Sequence, residues 1–326
     1  MQDQRLGGGT VGSGREAAVR FAPAAAVALD DVEAIVWRRV DVDLLDLAAR
    51  LFASIHGIPA LARPAKCGPS PWQDRDVSEW RSFSELDANQ KGALAFAEQF
   101  ALDVSAVDDE LRTTLLRSLG DKAAEFAQAV YVADVIPRAR YVLDRLFGTS
   151  DPVGASDPAV PRTKSNLKPD ATVWNGIEEI IRVIPGLQGL DAVMTELVRL
   201  RGARAHQCRF CKSVRSRSAM VAGANDAMFE AVDAFRTSDL SEAVKAALAF
   251  TDTFIWTPGR LSQAEIADLT KHFSPAQQVE LVLDIARNAS NKFAVSMAAD
   301  AANVSDGYEI YDVKSDGSIE YGLTAP

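Results

Sequence analysis

The sequence predicts an all-α protein built from two tandem helical modules, closed by a short C-terminal β-hairpin. Three observations lead there. Residues with small helix penalties (Ala, Leu, Glu, Arg and Gln) dominate the stretches 90–100, 121–147, 187–201 and 275–300. Helix starts are legible where Ser262 is followed by Glu265 and where Ser274 is followed by Gln277, the latter with Pro275 at the first helical position. Strand signals are scarce outside the tail, where 308–313 and 318–323 flank Lys314-Ser315-Asp316-Gly317.

At 326 residues the chain is long enough for two domains. Its apolar fraction of 48% and charged fraction of 25% are those of a globular protein. A net charge of −10 argues against nucleic acid or an anionic membrane surface as partner. No apolar run is long enough to span a bilayer. The opening MQDQRLGGGTVGSGR has no apolar segment before a cleavage site, so a cytoplasmic address is expected. Its many glycines and the little it has to bury predict a disordered segment over 1–24.

The helical pattern breaks over 149–172, where Pro152, Pro158, Pro161 and Pro169 stand among Ser, Asp and Gly. This is the expected linker between a first module at 25–148 and a second at 173–303, with the hairpin tail at 304–326. The modules look related. Lys91-Gly92-Ala93-Leu94-Ala95-Phe96 echoes Lys245-Ala246-Ala247-Leu248-Ala249-Phe250, and Phe100 matches Phe254. A second and a third helix follow at matching places in each half.

Cysteine usage points to chemistry. The chain has only Cys67, Cys208 and Cys211, too few for a disulfide-stapled scaffold. Cys208 and Cys211 are two residues apart, a spacing that can close and reopen a disulfide, and at a helix N-terminus a thiolate would be favoured. The window 196–217 carries Arg199, Arg201, Arg204, Arg209, Lys212, Arg215 and Arg217 against Glu196 alone, a local field that stabilises thiolate. Two plainer readings stand beside this one: half of a zinc site, for which only His56, His206, His272 and Cys67 remain as ligands, or two packing cysteines. No metal and no flavin or other cofactor is expected. Phe250, Phe254 and Trp256 would line a substrate pocket or, at helical spacing, fill the core.

Glu196 precedes Cys208 by twelve residues. With the downstream helices, this spacing resembles the alkylhydroperoxidase D-like / carboxymuconolactone decarboxylase family, whose motif places a glutamate twelve residues before CxxC and a histidine four residues after it. Glu196, Cys208 and Cys211 match, whereas the last position is Arg215. The resemblance implies that Cys211 attacks a peroxide, that Cys208 resolves it as a disulfide, and that the glutamate and histidine relay protons. It also implies association of identical chains.

A straight helix would hold Glu196 and Cys208 ~18 Å apart, so a turn is expected at His206-Gln207. In the resulting helix pair Glu196 would fall opposite Arg215, on the same helix face as Cys211. Arginine stays charged and cannot relay a proton. Alternatively, Glu196 pairs with Arg199. His206 is a candidate substitute relay or a cap residue. In the first half, Ile58 and Leu61 would stand at the cysteine positions and Asp46 at that of Glu196, a silent copy, with Cys67 off register.

The expected function is a thiol-dependent oxidoreductase, an antioxidant peroxidase or disulfide reductase, acting through Cys208 and Cys211 with an external thiol as electron donor. The alternatives are a lyase or decarboxylase on a small carboxylic acid or lactone, and a non-enzymatic redox sensor or assembly protein.

Overall fold

Capping residues set the frame in both halves. Asp41 caps helix Val42–His56 by accepting from the Leu44 amide, and Asp191 caps Ala192–Ala205 through Met194. Asp87 and Gln90 form a capping box ahead of Ala88–Leu102, and Ser241 caps Glu242–Trp256; both helices have 15 residues. A 3-10 turn follows each, Val104–Ala106 or Pro258–Arg260, and then a shorter helix, Asp109–Leu119 or Gln263–His272. The next helix is Ala123–Phe147 in the first half and Pro275–Asn288 in the second, where it continues through Ala289–Asn291 into Lys292–Ser296. The capping boxes expected at Ser262–Glu265 and Ser274–Gln277 are both formed.

The computed structural model describes residues 13–148, 165 and 167–326. It is mostly helical with a small sheet. No helix among the described residues is long and apolar enough to cross a membrane. Residues 1–12 and most of the expected linker 149–172 lie outside the described residues. The expectation of disorder over 1–24 is overturned from residue 14 onward. Gly14–Phe21 is a helix capped by Ser13, and Pro23 opens the next, Pro23–Arg39. Burial explains it: Ala17, Ala18, Ala22, Ala25 and Ala26 pack into the core. A Cβ on Gly14 would lie 2.4 Å from the Leu143 backbone, so glycine permits the close approach to helix Ala123–Phe147.

The halves interlock through equivalent helices. Pro23–Arg39 packs on Val173–Val183, and Ala123–Phe147 on Pro275–Asn288. Gly176 admits Val32, and the Tyr131 hydroxyl donates to the Ala286 carbonyl (2.9 Å). The Pro258–Arg260 turn sits on the end of helix Val42–His56, where a Cβ on Gly259 would be 2.3 Å from the Gly57 carbonyl oxygen. Phe250 and Phe254 are core residues, while Trp256 is largely exposed.

The tail forms the expected hairpin, with one strand more than expected. Glu309–Val313 (β2) and Ile319–Leu323 (β3) pair antiparallel, and Val214–Ser216 (β1) pairs parallel with β2. The register sets Arg215 opposite Ile310 and Ser216 opposite Tyr311. Gly317, at φ 83°, lets the hairpin turn press on the Arg182 carbonyl.

One buried acid has a testable cost. Asp284 is buried on helix Pro275–Asn288, and its Oδ2 has no hydrogen-bond partner. Burial first, and the Glu280 charge second, push its pKa up to about 7. The folded state thus holds a proton that the unfolded chain has already lost, so this group lowers stability as pH rises from the ordinary Asp range to about 7. Asp284→Asn is expected to change little at about pH 4 and to stabilise by roughly 2–4 kcal/mol at about pH 8, read from urea unfolding.

Candidate functional site

Helix Ala192–Ala205 ends at His206, and Gln207 takes a left-handed conformation at φ 55°, reversing the chain. The turn therefore falls where the twelve-residue spacing required it. The Cys208 amide donates to the Ala203 carbonyl (3.0 Å), which fixes the pair against the helix end. Cys208 and Cys211 form a disulfide with Cα atoms 5.3 Å apart, and the Cys211 amide donates to Cys208 Sγ (3.1 Å). Asp300 anchors the loop, accepting from the Arg209 amide (2.8 Å) and from its guanidinium (2.7 Å).

The cysteines are 2% and 5% exposed, but both line a cleft of about 160 Å³. His206, Arg199 and Phe210 share its wall with Tyr311 and Tyr321 from the tail and with Arg287 and Asn288 from the end of helix Pro275–Asn288. The pair thus borders a partly polar space while also packing against Ala203, Phe210 and Val295.

Glu196 is buried and accepts from four donors. They are Arg199 Nε (2.7 Å), Arg199 Nη2 (2.7 Å), the Tyr311 hydroxyl (2.9 Å) and the Ser216 amide (3.2 Å). Arg199 also donates to the Cys211 carbonyl (2.8 Å) and the Val214 carbonyl (2.9 Å). One guanidinium thus ties the carboxylate to the cysteine loop. Burial works against the Arg199 charge, but Glu196 outweighs it and the pKa rises. Burial first, then the Glu196 charge, raise the Tyr311 hydroxyl.

Three expectations are corrected here. Arg215 neither shares a helix face with Cys211 nor pairs with Glu196. The helix after Cys208 is only Arg209–Lys212, and Arg215 lies in β1, with its guanidinium between the rings of Phe229 (5.0 Å) and Tyr308 (5.1 Å). Arg199, three residues after Glu196, makes the ion pair, which is the alternative noted above. A four-residue helix also supplies little dipole for a thiolate at its start. Nor is the basic window an unopposed positive field. Arg201 pairs with Asp252, Arg204 with Asp233 and Arg209 with Asp300.

His206 is both a cap residue and a wall of the cleft. Burial, followed by the charges of Lys292 and Arg138, holds its pKa well below the usual histidine range, so it is neutral at pH 7. Sequence reasoning missed those two cations and their partner Asp134. Asp134 Oδ2 accepts from Lys292 Nζ (2.6 Å), while Oδ1 meets Arg138 and lies 3.0 Å from His56 Nε2. Burial opposes the Asp134 charge, but Arg138 and Lys292 hold its pKa well below the carboxylate range. His56 ends helix Val42–His56 as His206 follows the end of Ala192–Ala205, and Arg138 and Lys292 lie on the equivalent later helices. The halves therefore meet at a buried charge cluster behind the cleft.

In the first half Ile58 and Leu61 are buried where the second half has its cysteines. Asp46 is buried and pairs with Arg50 (3.3 Å), much as Glu196 pairs with Arg199. Cys67 is a free, half-buried thiol in the 3-10 turn Ala65–Cys67 and is not among the residues of the cleft.

No family model matches the chain, and no solved structure matches it. Two Mycobacterium tuberculosis proteins, described as "Uncharacterized protein MT2376" and "Uncharacterized protein Rv2313c", are each 41% identical to it over 229 residues, covering 70% of this chain and 79% of theirs. At that identity and coverage, the chain belongs to the same protein family as these two mycobacterial proteins.

Proposed function

We propose that the protein is a thiol-dependent oxidoreductase of alkylhydroperoxidase D-like type, with Cys208 and Cys211 as its redox pair. The observation that carries this reading is the placement of both sulfurs, within disulfide distance of each other, on the wall of a cleft that also holds ionisable and hydrogen-bonding side chains. A structural cross-link would need no such space beside it. In the oxidising half-reaction the two thiols and a hydroperoxide ROOH give the disulfide, ROH and water. One sulfur takes the terminal oxygen, and the other displaces it as water when the S–S bond forms. An external dithiol returns two electrons and two protons by exchange.

The cleft residues have definite parts in this scheme. The Cys211 amide, pointing at Cys208 Sγ, favours negative charge on that sulfur. Arg199, held by Glu196, fixes the Cys211 backbone. Glu196, with both oxygens already accepting, acts as a brace rather than a shuttle. His206 borders the cleft as a neutral ring rather than a proton acceptor, because burial and the Lys292 and Arg138 charges disfavour its protonated form.

Reduced protein supplied with cumene hydroperoxide and a dithiol is expected to consume peroxide catalytically. Cys208→Ser or Cys211→Ser should each bring consumption to the level of the dithiol alone. Turnover that survives in either variant would contradict the reading.

A further inference from the structure

We propose that the cleft beside the cysteines is an anion site, and that Arg287 selects small substrates carrying a carboxylate. This deepens the thiol reading and rests on it for the chemistry that follows binding.

Two guanidinium groups face the cleft, and they are in different electrostatic states. Arg199 is spent: its charge is matched by Glu196, and its donors go to that carboxylate and to the Cys211 and Val214 carbonyls. Arg287 is half-buried, its Nη1 donates to the neutral Asn288 side chain (3.1 Å), and no carboxylate among the described residues lies within ion-pair distance of it. Asp284, one turn back on the same helix, is not part of the cleft wall; it feels the Arg287 charge, but burial pushes its pKa up to about 7, so it offsets that charge only in part at neutral pH. Besides the two cysteines, the other ionisable groups there are His206, neutral at pH 7, and the hydroxyls of Tyr311 and Tyr321, whose pKa values are raised by burial. With the pair as disulfide or neutral thiols, Arg287 is therefore a cation of the cleft wall with no carboxylate at ion-pair distance among the described residues, in a protein of net charge −10.

Its shape fits a charged small molecule. Asn288, Ser290 and Asn291 line the cleft with Arg287, and amide and hydroxyl donors beside a guanidinium suit a planar carboxylate. Phe210 and Tyr321 stack edge to face and border the sulfurs, offering an apolar surface to a short carbon chain. A volume of about 160 Å³ holds a molecule of benzene size. A short acid bearing the reactive group near its far end meets these limits.

Iodoacetate and iodoacetamide test this directly, because they are of similar size and differ in charge. With either, a thiolate sulfur displaces iodide and forms an S–C bond. The rate ratio of iodoacetate to iodoacetamide at the reduced pair, read by peptide mapping, is expected to exceed that of 2-mercaptoethanol by about tenfold, the size of one hydrogen bond to a charged group. Arg287→Ala should return it to the 2-mercaptoethanol value, and Arg287→Lys should keep most of it. In the wild type alone, propionate but not propionamide should slow alkylation by iodoacetamide. A ratio equal to that of 2-mercaptoethanol, protection by both additives or neither, or failure of both reagents to modify the pair would overturn the anion site. Loss of hydroperoxide turnover with the preference intact would overturn the thiol reading while supporting the anion site.

Discussion

Asp134→Ala is expected to cost about 3–5 kcal/mol of folding stability, the penalty for stripping the counter-charge from buried cations. Arg138 and Lys292 are almost completely buried, and both meet this carboxylate. Lys292 Nζ otherwise sits over the Phe100 ring (4.4 Å), and Arg138 also donates to the Ile255 carbonyl (2.5 Å). Neither contact replaces a full charge. A domain is stable by only about 5–15 kcal/mol, so the variant should be close to unfolding at 25 °C. Urea unfolding measures this; a loss under about 1 kcal/mol would show that the cluster does not hold the halves together. The acid side follows the same logic. The folded pKa of Asp134 is depressed, so its contribution is complete above the ordinary carboxylate pKa and is lost as pH falls toward the lower folded value.

Glu196→Gln is expected to have the second large effect, about 3–5 kcal/mol, by leaving buried Arg199 without its counter-ion. Arg199 holds the Cys211 and Val214 carbonyls, so the cysteine loop and β1 should loosen with it. Peroxide-driven disulfide formation should slow in the variant without a change in its pH profile, because Glu196 braces the loop and transfers no proton. A moved pH profile with unchanged stability would contradict that role. Replacing Glu196 and Arg199 together by apolar residues of similar volume should cost less than Glu196→Gln alone, since no charge is then left buried.

Local signals were legible where local chemistry decides the outcome. Ser262 with Glu265 and Ser274 with Gln277 cap helices because hydroxyl and side-chain acceptors satisfy free amides within one turn. The turn at His206-Gln207 followed from the length of chain between Glu196 and Cys208. What depends on distant partners was not legible. β1 has three residues and exists because β2, far along the chain, pairs with it. Once Val214–Ser216 is strand, Arg215 leaves the face of Cys211, and Arg199 becomes the partner of Glu196. Tyr311 and Tyr321 enter the cleft only because the tail folds back. Asp134 and Lys292 lie in different halves and carry no motif. The helix Gly14–Phe21 was hidden by the glycines that precede it in the sequence and by its own Gly14, which is there for close packing.

The chain carries its own control for the redox claim, because Cys67 is a free thiol that is not among the residues lining the cleft. Fully reduced protein would be treated with hydroperoxide at one equivalent per chain, and the fate of each cysteine followed by peptide mapping over time. The predicted result is a Cys208–Cys211 disulfide that forms well before Cys67 is oxidised. Oxidation of Cys67 first, or a pair still reduced after the peroxide is gone, would contradict it.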